Sequence, residues 1–195
     1  YGEKMRIISG FLKGKKIGFL KSATTRPLRD FVKESTFNII KHSRLVDIIL
    51  ENSNVLDLYS GVGSFGIECI SRGSKKVTFV ENNKEALTIL KKNIKHLKIE
   101  NKGKIFESKI TSFFNHLSEK DKYEIIFLDP PFSENFFIDD LKKLSNSNIY
   151  TKNHLIIVHR EAKSNDDLSD VVNIITIKKY GRSKIIFANF SLDNA

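Results

Sequence analysis

Val55-Leu56-Asp57-Leu58-Tyr59-Ser60-Gly61-Val62-Gly63-Ser64-Phe65-Gly66-Ile67-Glu68-Cys69-Ile70-Ser71 is the stretch whose reading decides the fold. Val55 to Tyr59 reads as a short buried strand, and Ser64 to Ser71 carries on as an apolar helix. Between them lies a Gly-x-Gly-x-x-Gly spacing, in which glycines permit a tight turn and a close backbone approach to a ligand. One acid, Asp57, precedes the glycines. A second, Glu81, closes the next apolar run about 20 residues on, where a carboxylate can accept ribose hydroxyls.

The pattern repeats outward from that stretch. Lys76 to Glu81 reads as a strand, Lys84 to Leu97 as a helix, Lys104 to Ser108 as a strand, Thr111 to Leu117 as a helix and Tyr123 to Asp129 as a strand. A short helix at Phe136 to Leu144 and a strand at His154 to His159 follow. Strand and helix in alternation predict an α/β fold with a mainly parallel sheet and helices on both faces. Val172 to Lys179 and Lys184 to Phe190 lie on either side of Tyr180-Gly181-Arg182-Ser183, which predicts a C-terminal antiparallel hairpin. The fold expected is a Rossmann-like sheet of seven strands over residues 26–195, preceded by a small basic β-hairpin within residues 1–25. Met5 reads as a natural start, so residues 1–4 are left out of the fold argument.

The hairpin, Met5 to Leu20, carries Arg6, Lys13, Lys15 and Lys16 with Phe11 and Phe19. It is too small to bury itself, so it either packs on the main body or projects as an arm that grips RNA. Behind it a helical pattern runs from about Leu28 to Ile40, with Phe31, Phe37 and Ile40 as its expected buried face. Arg26 and Arg29 stand at its start and read equally as phosphate or cofactor contacts and as surface charge.

The 195 residues carry a net charge of +10, with 40% hydrophobic and 29% charged residues. That is the composition of one soluble domain, and the positive excess suggests a nucleic-acid partner. No apolar run approaches the ~20 residues of a membrane span. The single cysteine, Cys69, excludes an internal disulfide, reads as a core residue, and shares no metal-ligand spacing with the five histidines. A cytoplasmic protein without metal or membrane is expected.

The chemistry concentrates where Tyr123 to Leu128 runs into Asp129-Pro130-Pro131-Phe132. Two prolines fix two φ angles and remove two N–H donors, leaving only acceptors beside the Asp129 carboxylate. Such a socket suits a planar amine: Asp129 takes one hydrogen, the Pro130 carbonyl the other, and Phe132 offers a face for stacking or else plugs the core. An acid at Asp57 would repel a pyrophosphate, which favours a cofactor bearing an amine or a sulfonium over a dinucleotide. S-adenosylmethionine bears both.

With these strings the sequence resembles the class I S-adenosylmethionine-dependent methyltransferases and, among them, the RsmD family, which methylates the exocyclic amine of a guanine in 16S ribosomal RNA. The resemblance rests on Arg6-Ile7-Ile8-Ser9-Gly10, Arg26-Pro27 with Asp30, Glu34 and Phe37-Asn38, Val55 to Gly63, Glu68 to Gly73, Phe127 to Phe132, and Tyr180-Gly181. It implies that Asp57, Tyr59, Ser60, Gly61 and Gly63 hold the methionine end of the cofactor, Glu81 with Asn82 the ribose, and the backbone of Lys109 and Ile110 the adenine. It implies further that Asp129 to Phe132 receive the guanine, that Arg6, Lys13, Lys15, Lys16, Arg26 and Arg29 hold RNA, and that a monomer acts on the small ribosomal subunit. The socket alone leaves open an amine methyltransferase acting on adenine or on a protein glutamine, and a non-catalytic RNA-binding assembly factor.

Overall fold

The computed structural model describes residues 5–20, 28, 30–118, 120–131 and 135–190. The strand Asn54–Leu58 (β3) is an inner strand of a seven-stranded sheet, and its side chains are buried on both faces. Two minimal strands precede it, Met5–Arg6 (β1) and Lys16–Ile17 (β2), together with a helix, Asp30–His42 (α1). After β3 come Ser64–Ser71 (α2), Lys76–Glu81 (β4), Lys84–His96 (α3), Gly103–Glu107 (β5) and Ile110–Phe113 (α4) with a 3-10 turn at Phe114–His116. The chain then forms Tyr123–Leu128 (β6), Phe137–Asn146 (α5), Tyr150–Glu161 (β7), Asn173–Tyr180 (β8) and Ser183–Asn189 (β9).

The strand order is β5-β4-β3-β6-β7-β9-β8, parallel from β5 through β7 and antiparallel across β7, β9 and β8. The chain leaves β3 toward β4 and β5, then returns to β6 on the other side. Such a reversal opens a crevice at the C-terminal ends of β3 and β6, where sheets of this kind bind ligands.

Alternation along the strands divides the interior in two. Val55, Phe79, Ile125, Phe127, Leu155, Ile157, Ile185 and Phe187 face a core with α1 and α2, whereas Leu56, Leu58, Val80, Ile126, Leu128, Ile156 and Val158 face α5. The same period of two carries Asp57, Glu81, Asp129, His159 and Ser183 onto the first face at one edge of the sheet.

The N-terminal hairpin packs on the body. Ile7 and Ile17 are buried in the first core, and the Glu68 carboxylate accepts the N–H groups of Ile8 and Ser9, each at 2.9 Å. Ser71 Oγ donates to the Ser9 carbonyl and accepts from Leu12 N–H at 3.0 Å, and Asn93 of α3 accepts Gly18 N–H at 2.9 Å while donating to the Val62 carbonyl at 3.0 Å. Lys13, Lys15 and Lys16 remain exposed.

Two local expectations change. The helix predicted from Leu28 begins at Asp30 and buries Val32, Lys33, Thr36, Phe37 and Ile40, so the neighbouring Phe31 points outward, 66% exposed, edge-on to Tyr180. The fifth strand is longer than His154 to His159 and reaches Glu161. Among the described residues no helix is long and apolar enough to cross a membrane.

Candidate active site

At the crevice lies a cavity of about 720 Å³. Its wall takes in Asp57 from β3, Tyr59, Ser60 and Gly61 from the loop after it, Glu81, Asn82 and Asn83 from the end of β4, and Asp129, Pro130 and Pro131 from the end of β6. The two strings read from the sequence therefore meet in one space. Met5, Phe19, Leu28, Phe65 and Phe127 supply its apolar side.

The glycine loop is shaped from within. Ser60 N–H donates to the Val80 carbonyl at 3.1 Å and Val80 N–H donates to Ser60 Oγ at 2.9 Å, which ties the turn to the neighbouring strand. Glu81 accepts Gly61 N–H at 2.7 Å, Asn82 N–H at 2.9 Å and Asn83 N–H at 2.8 Å. A Cβ at Gly61 would meet nothing within 4 Å, so this glycine leaves the cavity open. At Gly66 a Cβ would lie 2.4 Å from Phe79 Cε1 and 2.9 Å from Asp57 Oδ2; that glycine is required by the protein's own packing.

Asp57 is buried, and its Oδ2 accepts Gly66 N–H at 3.0 Å. Burial pushes its carboxyl well above the ordinary carboxylate range, the Gly66 N–H opposes this, and the nearby Asp129 and Glu81 push it further up. Asp57, Glu81, Glu85, Asp129 and Glu161 line one cavity, and five acids together make a site for a cation. Among the described residues that line it there is no Lys or Arg. This donor set fits the amine and sulfonium of S-adenosylmethionine and would repel a pyrophosphate.

Tyr59 stands in the left-handed region at φ 57°, and its hydroxyl donates to the buried Asp140 of α5. The contact couples the loop after β3 to the helix that follows Pro131. Lys109 caps α4 and Ile110 begins it, and neither is part of the cavity wall. Arg6 pairs with Asp30 at 3.4 Å on the surface. Phe132, Arg26 and Arg29 lie outside the described residues.

Two residues at the end of β7 complete the socket and were not among the sequence candidates. His159 Nδ1 lies 2.8 Å from Asp129 Oδ1, and Arg160 Nη1 donates to the Pro131 carbonyl at 3.0 Å. Arg160 is itself held through Nε and Nη2 by Asp166, at 2.8 and 3.1 Å, and lies over the Phe137 ring. As neighbours on one strand they approach the Asp129-Pro130-Pro131 segment from opposite faces of the sheet. A search for metal spacing among histidines misses this arrangement; the position of His159 at the C-terminal end of a parallel strand was the available signal.

Residues 5–189 match the family model described as "Conserved hypothetical protein 95". The chain is 34% identical to Ribosomal RNA small subunit methyltransferase D of Haemophilus influenzae over 159 residues, which is 81% of this chain and 79% of that relative. It is 31% identical to the protein of the same name from Buchnera aphidicola, covering 94% of this chain and 90% of the relative. The crystal structure of a putative methylase from Haemophilus influenzae superposes with a TM-score of 0.74 at 27% identity, over 96% of this chain and 99% of that one. With a family match spanning both the hairpin and the sheet, and with the two motif-bearing strand ends meeting at one cavity, the chain belongs to the RsmD family of ribosomal RNA small subunit methyltransferases.

Proposed function

We propose that this protein uses S-adenosylmethionine to methylate the exocyclic amine of a guanine in the RNA of the small ribosomal subunit. The observation that carries the reading is a socket built only of acceptors, Asp129 and the Pro130 carbonyl, opening into a cavity whose other charged groups are acids.

In this reading Asp57 and the Tyr59 to Gly63 loop hold the cationic end of the cofactor, and Glu81 with Asn82 the ribose. The bound cofactor supplies an electrophilic methyl group on a sulfonium that departs as a neutral thioether. The chain's own task is the nucleophile, since the lone pair of a guanine amine is delocalised into the ring. Asp129 and the Pro130 carbonyl accept the two amine hydrogens, localise that lone pair on nitrogen, and stabilise the positive charge that develops there. Asp129 then takes the proton released when the nitrogen–carbon bond has formed.

Glu161 supports guanine over adenine. It lines the same cavity as Asp129 and Pro130, so a base held there would meet an acceptor beyond the two that hold its amine. Next to its amine guanine carries an N1–H donor, which a carboxylate accepts; adenine carries an N1 lone pair, which a carboxylate repels. The exposed Lys13, Lys15 and Lys16 of the hairpin, with Arg6, would hold the RNA backbone, and the target base must leave its stack to reach the socket.

The test is transfer of labelled methyl groups to small subunits lacking their native methylations, beside naked 16S RNA and duplex DNA, followed by nucleoside analysis. Label as N2-methylguanosine with the wild-type protein, and its loss in Asp129→Ala with calorimetric cofactor affinity retained, is the expected outcome. Label on adenine or on protein would overturn the guanine assignment, and undiminished turnover of Asp129→Ala would overturn the socket.

A further inference from the structure

Asp129 has to present one oxygen to the amine in a fixed direction, yet a carboxylate at a strand end rotates easily, because its terminal torsion is broad. The Asp129 side chain is 28% exposed, against 3% for His159. The imidazole is enclosed because β7 is an internal strand, paired with β6 on one side and with β9 on the other, where His159 stands opposite Ile185. Its Nδ1 takes Asp129 Oδ1 at 2.8 Å, and its Nε2 lies 3.0 Å from Ser183 Oγ at the start of β9.

These partners decide the tautomer. A carboxylate only accepts, so in the neutral ring the proton is on Nδ1; Nε2 is then an acceptor, and the Ser183 hydroxyl donates to it. The chain from Ser183 through His159 to Asp129 crosses three strands, β9, β7 and β6, on a single face of the sheet. It ends on one carboxylate oxygen and leaves the other for the cavity.

We propose that His159 is a positioning residue of the methyl transfer, held by Ser183, which fixes the Asp129 carboxylate in the orientation that receives the target amine. The role rests on the methyl-transfer reading, but its geometry can be tested apart from activity. His159 touches neither base nor cofactor in this scheme and acts through Asp129. A misplacement of about 1 Å at a reacting group costs about 100-fold in rate.

Four variants and two readouts decide it. His159→Leu is expected to lower kcat about 10- to 100-fold while KM for the subunit and cofactor affinity stay at wild-type values. His159→Asn, whose amide N–H can replace Nδ1–H, is expected to recover most of that loss, whereas His159→Gln, whose amide reaches the Nε2 position, is not. Nitrogen-15 NMR of the His159 ring in the free protein, recorded where the ring is neutral, is expected to show the proton on Nδ1, with that preference lost in Asp129→Ala, which removes the accepting carboxylate. A neutral ring with its proton on Nε2 and none on Nδ1 overturns the proposal whether or not label is transferred, and so separates its failure from that of the methyl-transfer reading. Wild-type kcat in His159→Leu, or equal impairment of the Asn and Leu variants, overturns it as well. Should His159→Leu fail to fold, the NMR comparison of wild type with Asp129→Ala stands as the deciding measurement.

Discussion

Replacing Glu68 by Gln tests how the N-terminal hairpin is attached to the catalytic body. Glu68 is fully buried, and its two oxygens serve four donors: Ile8 N–H and Ser9 N–H at 2.9 Å each, Arg72 Nε at 2.8 Å, and Lys33 Nζ at 3.4 Å. Lys33 is equally buried and also donates to the Arg6 carbonyl at 3.1 Å and to Ser64 Oγ at 3.3 Å. Burial lowers the Lys33 pKa, and Glu68 opposes that shift. Glutamine keeps the shape but removes the charge and turns one acceptor into a donor that faces other donors.

Breaking a buried ion pair by removing one partner costs about 3–5 kcal/mol, because the remaining charge is left uncompensated. Hydrogen bonds to charged groups are worth about 1.5–3 kcal/mol each, but these share one network and do not add. A loss of about 3–5 kcal/mol is therefore expected for Glu68→Gln, read by urea unfolding followed by circular dichroism. In a chain of this size it corresponds to a melting-temperature drop of about 6–20 °C. Hydrogen exchange should show the Ile8 and Ser9 amides losing protection before β3 does. A double-mutant cycle with Lys33→Met separates the pair from the rest, with coupling of about 0.5–3 kcal/mol expected. Stability within about 1 kcal/mol of wild type, or strictly additive single changes, would refute the reasoning.

Asp57 and the loop glycines give two further tests. Because the folded Asp57 pKa lies above its unfolded value, the folded chain keeps a proton that the unfolded chain has released; stability of the free protein should fall as pH rises from the ordinary carboxylate range through the folded pKa. Affinity for the cationic cofactor should rise over the same window, Asp57→Asn should flatten both trends, and melting curves with calorimetry across the acid-to-neutral range would contradict this if stability rose instead. Gly66→Ala should destabilise by about 1–3 kcal/mol and weaken cofactor binding, because its Cβ would press on Phe79, Val77 and Asp57. Gly61→Ala, strained only by its φ of 55°, should cost about 1–2 kcal/mol, and thermal melts in which Gly61→Ala proved the more damaging would contradict the packing argument.

The sheet was legible in the sequence because its signal is local. Apolar runs at Val55, Val77 and Ile125, each followed by a helical period, fix strand, helix and direction without long-range information. The meeting of Asp57 with Asp129 was legible too, since parallel strands on either side of a chain reversal bring their C-terminal ends together. The outward Phe31 was not, because it is apolar: at about 100° per residue it lies opposite the face of Val32, Lys33, Thr36, Phe37 and Ile40, and a large apolar residue near a helix start reads as buried until its neighbours are placed. Nor was the Lys33–Glu68 pair: each residue lies on a different helix, and a charged residue in a helical pattern reads as solvated until tertiary packing closes over it. His159 and Arg160 escaped for a related reason, since their partners lie about 30 residues upstream on a strand that the sequence alone does not place beside them.

The distribution of charge ties the two ligands to one geometry. The chain as a whole carries +10, yet Asp57, Glu81, Glu85, Asp129 and Glu161 all line the cavity. A polyanion is thus drawn to the surface and its phosphates are turned away from the interior, while a cation is drawn inward. On the proposed reading, the neutral, donor-rich edge of a base would follow that cation into the acceptor socket without electrostatic cost. A phosphate-bearing dinucleotide would meet carboxylates at the loop where such cofactors need N–H donors alone. On the proposed reading, the field that admits a sulfonium would also hold the RNA backbone outside and favour an extruded base as the group that enters, so cofactor choice and substrate presentation would follow from one set of acids.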